Sequence, residues 1–257
     1  MNVQRFDRSS APRSLRSTLA PAGDRLRESH FLSQEERLAL EEAMSPPRVM
    51  QSNVDLVRHG QGSGRVFIVA EGWACRYAIT RDGSRQLPAL LVPGDVANLD
   101  SLLFDRLNYG VRTLTQATVV SLPRDRALAL AAAYPGIART FTWLALVDNA
   151  NLTEWTLSLG RRSAKERLAH LLCELSVRLD ADDGEASSFA FPLTQEQIAD
   201  TLGLTAVHVN RTMQQLRSDG LIVTASRTVT LPNVDSLRRL GGFDPSYLHL
   251  DLSAQRG

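Results

Sequence analysis

Three regimes of apolar spacing follow one another along the chain. From residue 48 to about 122, apolar and polar positions alternate in short runs, at 66–70, 73–80, 86–92 and 118–122. Gly60-Gln-Gly-Ser-Gly64, Glu71-Gly72, Arg81-Asp-Gly-Ser84 and Pro93-Gly94 separate them. A period of two between turn residues predicts strands, and strands this short predict an all-β sandwich or barrel, with Asp82-Gly83 as a type I′ hairpin turn. From about Asp125 the period becomes helical; Pro135-Gly136 breaks it, and a long helix then spans 137–159. Phe141, Ala145, Asp148, Leu152, Trp155 and Leu159 form one near-heptad stripe on it, the pattern of helix pairing, although packing against the barrel of the same chain gives the same stripe. Gly160 is expected to end this helix and act as a hinge, and Ser163 to cap a helix carrying Leu168, Leu171, Leu172 and Leu175. Upstream, Ser33-Gln-Glu-Glu36 reads as a capping box for a short helix that stops before Pro46-Pro47.

The third regime is the most informative. Thr194 and Gln197 form a second capping box, opening a helix with Ile198, Ala199 and Leu202 on its apolar face. Gly203 can turn the chain out of it, and Thr205 caps another helix with an apolar repeat at Val209, Met213 and Leu216. At about 100° per residue, the opposite face of that second helix carries Val207, Arg211 and Gln214, flanked by His208 and Asn210. Arg can fork onto guanine, Asn onto adenine, and a valine methyl can pack on thymine, so these residue types suit a helix lying in a major groove. An ordinary helical hairpin with a solvated face has the same periodicity. What favours DNA is the next segment: residues 221–223 and 228–231 alternate around a polar turn, as a wing does.

Composition limits the alternatives. With 257 residues, 43% hydrophobic and 22% charged, the chain holds two modest domains of soluble type. No apolar run reaches the roughly 18 residues of a membrane span. Cys75 and Cys173 lie far apart, which fits a reducing, cytoplasmic setting. The net charge of +1 gives nucleic-acid binding no global support, so any basic face must be local, from Arg161, Arg162, Lys165, Arg211, Arg217 and Arg227, with Asp182, Asp183 and Glu185 held away in a loop. Arg58-His59-Gly60 echoes a phosphatase tripeptide, but at the end of a β-run it lacks that context, and no metal-ligand spacing, nucleophile elbow or paired carboxylate suggests an enzyme.

The run 193–222, with Gly160-Arg-Arg-Ser-Ala164, Ala169-His-Leu-Leu-Cys-Glu174 and Val207-His-Val-Asn-Arg211, resembles the Crp/Fnr superfamily of transcription regulators over about residues 31–232. It looks like a proteobacterial branch whose effectors are mostly unassigned. The resemblance implies an α+β chain: an N-terminal cyclic-nucleotide-binding-like β jelly roll at 31–125, helices at 126–160 including a long central dimerisation helix, and a C-terminal winged helix-turn-helix at 161–235. Rich in Arg, Ser, Ala and Pro, residues 1–30 read as a mobile tail, and after the wing a short helix at Asp235–Leu240 opens a C-terminal tail (236–257) anchored by Phe243, Tyr247 and Leu248. Implied partners are double-stranded DNA, a second copy of the chain paired through Phe141, Ala145, Leu152, Trp155 and Leu159, and RNA polymerase if the regulator activates; no membrane is implied. Val207, Asn210 and Arg211 would set specificity, with Thr205, His208 and Gln214 placed for further contacts. Ala206-Val207 replaces the Arg-Glu pair of cyclic-AMP-receptor-like members, which implies a different operator.

The effector is unknown. Cyclic-nucleotide-binding members use a Gly-Glu pair for the ribose and an Arg-Ser pair for the phosphate. Here Asn98-Leu99 and Asn108-Tyr109 stand in those places, which disfavours cyclic AMP. Asn98, Asp100, Tyr109 and Arg112 are expected to line a pocket of another kind, or Asp100 and Arg112 a solvated ion pair. Cys75 is a further candidate for the effector pocket, as a thiol sensor or a haem ligand with His59, set against the ordinary role of a buried small hydrophobe. The iron-sulfur members need cysteines near the N-terminus, where this chain has none. The rival reading is an effector-binding or interaction module that no longer touches DNA.

Overall fold

The computed structural model describes residues 26, 29–179, 181 and 186–250. The N-terminal part is a jelly roll of two antiparallel sheets. One has strand order β1-β7-β3, from Arg48–Met50, Ala117–Pro123 and Arg65–Glu71. The other has order β2-β6-β4-β5, from Asp55–Val57, Gly110–Thr113, Ala74–Ile79 and Arg85–Leu91. Alternation divides β3 between two cores. Phe67 and Val69 face the barrel interior with Ala74, Leu91 and Val111, whereas Val66 and Ile68 face Leu40, Ile137 and Phe141 of the helices. β1, β2 and β6, of three or four residues each, are too short to show a period in the sequence. The β4–β5 turn is not type I′: only Gly83 has positive φ (88°), and Gly83 N bonds to Thr80 O in a longer loop.

Three helices back this sandwich. α1 (Gln34–Ala43) opens with the expected capping box on Ser33, α2 spans Arg124–Ala133, and α3 runs for 27 residues over Pro135–Arg161. Pro135 sits in the first turn of α3, where its missing N–H costs nothing. The Glu36 carboxylate accepts from Ser33 N (2.8 Å) and Gly136 N (2.7 Å), tying α1 to the start of α3. These backbone donors, Ser33 first, hold its pKa below the usual carboxylate range. Leu26 and Ser29 are buried, and the Ser29 hydroxyl lies 2.9 Å from that of Thr140. Packing therefore begins inside the stretch expected to be a tail, because Leu26 has an apolar cluster to join; residues 1–25 lie outside the described set.

The C-terminal part starts with α4 (Ala164–Arg178), capped by the Ser163 box. β8 (Ser187–Ala190), α5 (Gln195–Leu202), α6 (Ala206–Ser218), β9 (Val223–Ala225), β10 (Thr228–Leu231) and α7 (Val234–Gly241) follow, the strands forming a small sheet β8-β10-β9. Gly160 does not end α3, which continues to Arg161 and breaks at the extended residues Arg162 and Ser163. A glycine with open space around it weakens a helix by only about 1 kcal/mol, which need not end it. The short helix expected at 235–240 is α7, and the expected anchors Phe243, Tyr247 and Leu248 join the core, so the segment is docked rather than a loose tail. α7 packs on α4 so closely that a Cβ on Gly241 would lie 2.7 Å from His170 N, and a 3-10 turn at Pro245–Leu248 buries Leu248.

Candidate nucleic-acid interface

α5 and α6 meet as the capping residues dictate. Thr194 accepts from Gln197 N, Gly203 takes the left-handed conformation (φ 63°), and the Thr205 side chain accepts from His208 N at 3.2 Å. Val209, Met213 and Leu216 are buried. Val207, 82% exposed, stands with Asn210, Arg211 and Gln214 on the open face. Thr205 is exposed and His208 half-buried at the edge of that face. Beside it, β9 and β10 join through Ser226 and Arg227, both at positive φ (43° and 67°), a primed two-residue turn built without glycine. Its strain, roughly 1 kcal/mol per residue, is held by the sheet, including a bond from Phe191 N to Arg227 O.

The basic residues are less available than their number suggests. Arg162 pairs with Glu154 (2.7 Å), Lys165 with Asp219 (2.5 Å), and Arg217 bonds Thr224. Arg211 and Arg227 stay on the exposed surface. Asp182, Asp183 and Glu185 lie outside the described residues.

The C-terminal unit that carries α5 and α6 joins the rest of the chain through a buried polar junction that sequence reasoning missed. Glu174, fully buried, accepts from Trp155 Nε1 of α3 (2.7 Å), Tyr247 Oη of the C-terminal turn (2.8 Å) and Arg178 (2.8 Å). Arg178 continues to Leu90 O and the Asp95 carboxylate of the sandwich. Burial alone would lower the Arg178 pKa, but Asp95 and Glu174 reverse it, so the group stays charged. His170 lies between Phe243 and Tyr247, with Nε2 3.2 Å from Glu154. Burial first, then Arg162, lowers its pKa below 6.5. On the sandwich, α5 meets β5 through Arg85 to Asp200 and Gln86 to Thr201 O.

The candidate effector residues divide. Paired strands put Cys75 opposite Arg112 and Arg76 opposite Val111, so Cys75 and Arg112 share one face and Arg76 the other. Arg112 points outward, bonded to Asp55 and lying over Tyr77. Cys75 is buried beneath the unit carrying α5 and α6, and burial pushes its thiol up to about 12, the opposite of a reactive sensor. Neither belongs to the pocket expected of them. Asn98 is wholly buried and structural, its amide serving Phe67 N, Arg65 O and Ser101. Asp100 and Tyr109 do come together at 2.5 Å, beneath Arg76, a residue that no local pattern singles out. Arg76 bonds Asp148 of α3 through both carboxylate oxygens (2.8 and 2.6 Å) and Ala97 O at 2.7 Å.

A cavity of about 670 Å³ lies between β5, the 3-10 turn Leu99–Leu102 and α3, with Arg76 and Asp148 on its wall. Of the expected effector residues, Asp100 alone borders it. Phe141, Ala145, Leu152 and Trp155 of the helical stripe border it too. Phe141 and Trp155 pack mainly within their own chain and Leu159 turns toward Gly203. The apolar face that α3 leaves open carries Ala145, Leu146, Leu152 and Leu157 instead. No single helix among the described residues is long and apolar enough to cross a membrane.

Comparison with known proteins agrees with both halves. Residues 47–134 match the cyclic nucleotide-binding domain, and residues 166–240 the Crp-like helix-turn-helix domain. The chain is 28% identical over 200 residues to the nitrogen fixation regulation protein FixK of Azorhizobium caulinodans, covering 77% of this chain and 80% of that one. It is 25% identical to the regulatory protein HlyX of Actinobacillus pleuropneumoniae, covering 80% and 86%. The structure of FixK2 from Bradyrhizobium japonicum superposes with a TM-score of 0.69 at 24% identity, covering 77% of this chain and 98% of that one.

Proposed function

Since the chain belongs to the Crp/Fnr superfamily of DNA-binding transcription regulators, we propose that it reads a palindromic operator as a homodimer, with α6 in the major groove. The observation that carries this is the division of α6: Val209, Met213 and Leu216 are buried, while Val207, Asn210, Arg211 and Gln214 are exposed and aligned. In such a groove Arg211 takes guanine, Asn210 adenine, and Val207 a thymine methyl. Thr205 and His208 contact phosphate or base edges, and Arg227 at the wing adds a charge. The second copy packs on the open face of α3, through Ala145 and Leu152 of the expected stripe together with Leu146 and Leu157. Symmetry then sets two reading heads about one DNA turn, roughly 34 Å, apart.

Regulation in this reading moves the heads relative to α3. The movable joint is the extended pair Arg162-Ser163, braced by the Glu174 junction, and not Gly160. If the regulator activates transcription, RNA polymerase is a further partner, and the cytoplasm is its place of action. Selection from random duplexes tests the proposal: enrichment of two inverted half-sites one turn apart is expected, and enrichment of nothing, or of a single half-site, contradicts it.

A further inference from the structure

The cyclic nucleotide-binding domain matched by residues 47–134 implies a cyclic nucleotide, and the groups present do not fit one. A cyclic phosphate needs uncommitted donors, best of all a guanidinium fork. The Asn98 amide is fully engaged in the fold, the Tyr109 hydroxyl donates to Asp100, and the buried guanidinium at this place, Arg76, is held by Asp148. The cavity's other guanidinium, Arg178, is held by Asp95 and Glu174, and with Asp100 and Asp148 four carboxylates border the space an anion would enter.

The Arg76 side chain is 7% exposed and that of Asp148 39%. The cation is thus part of strand β4, sealed in the barrel, while its counter-ion arrives from α3 at the mouth. Burial would lower the Arg76 pKa, yet Asp148 raises it, so the pair is ionic. An uncompensated buried guanidinium is strongly unfavourable, and the ion pair therefore ties the middle of α3 to the barrel in one register. Resting on the DNA-reading assignment above, we propose that the sensor carries its own ligand: the Asp148 carboxylate occupies, on Arg76, the place of a bound anion. It holds α3 in the DNA-competent position with no small molecule. α3 runs unbroken from Asp148 to Arg161, so the register fixed at the barrel reaches the base of the reading head.

The test uses the full-length dimer and an operator selected with the wild-type protein, without nucleotide. Wild-type affinity is expected to be unchanged by cyclic AMP, and Asp148→Asn is expected to lose about tenfold or more in operator affinity. In Asp148→Gly, added formate or acetate is expected to restore binding, because either anion can re-enter on Arg76; a merely structural loss would not respond. If the single variants fail to fold, Arg76→Met/Asp148→Met removes both charges, and is expected to melt near the wild-type temperature yet bind the operator more weakly. Folded Asp148→Asn or double-variant protein binding as tightly as wild type overturns the inference, as does tightening of the wild type by cyclic AMP. A wild-type protein that enriches no duplex at all overturns the DNA-reading assignment itself.

Discussion

The mid-point of α3 and the exposed face of α6 carry polar residues of similar kind, arranged to opposite effect. On α3, Asp148 is committed to a buried partner within the chain, as are Asp100 and Tyr109 beside it. On α6, Asn210, Arg211 and Gln214 project into solvent. A buried polar group must find its partner inside the fold, whereas an exposed one can keep its hydrogen-bonding capacity for a ligand. The sensor therefore looks inward and the reading head outward, although each is built on one side of a helix.

The largest effect should come from separating the two copies. Leu146→Glu, on the open apolar face of α3, places like charges at the pairing surface. It should produce a monomer by sedimentation and weaken operator binding by about a hundredfold or more, as the second head loses its tether. A dimer that binds unchanged would move the pairing surface elsewhere. Next, Arg211→Ala should cost roughly 1–3 kcal/mol on the operator and relax one base position, measured on single-base duplex variants. Tyr247→Phe removes one bond to the buried Glu174 and should lower stability in urea by about 1.5–3 kcal/mol, the range for a bond to a charged group. It leaves the exposed α6 face intact.

The smallest effect concerns pH. His170 has a folded pKa below 6.5, so the unfolded chain binds protons more readily. Its contribution is complete above 6.5 and is lost as the pH falls through the folded value. Around it stand Glu154 and Arg162 from the α3 end, Glu174 from α4, and Tyr247 and Phe243 from the C-terminal segment. Thermal stability should fall modestly on acidification from about pH 7 to about 5.5, and less so in His170→Gln. Equal slopes in the two proteins would remove His170 from the junction's pH response.

What the sequence shows and hides follows the same inward and outward division. Local chemistry is legible: the boxes at Ser33, Ser163 and Thr194 need only residues three apart, and the α6 periodicity puts Val207, Asn210 and Arg211 on the exposed face, where the structure has them. Pairing across the chain is not. Arg76 meets Asp148, and Glu174 meets Tyr247, over 72 and 73 residues, with no local pattern to mark either. Asp148 interrupts the apolar stripe of α3, and its partner lies on a strand far away in the sequence. Arg112 and Cys75, expected with Asp100 around the effector, lie on the face of the sheet opposite Arg76, which only the strand register decides.

The most direct measurement is a titration of wild type and Arg211→Ala against the selected operator and a set of duplexes each changed at one symmetric base pair. Wild type is expected to discriminate at every half-site position, and the variant to lose discrimination at one guanine only. Uniform weakening across all duplexes, or no discrimination by the wild type, would contradict α6 as the element that reads sequence.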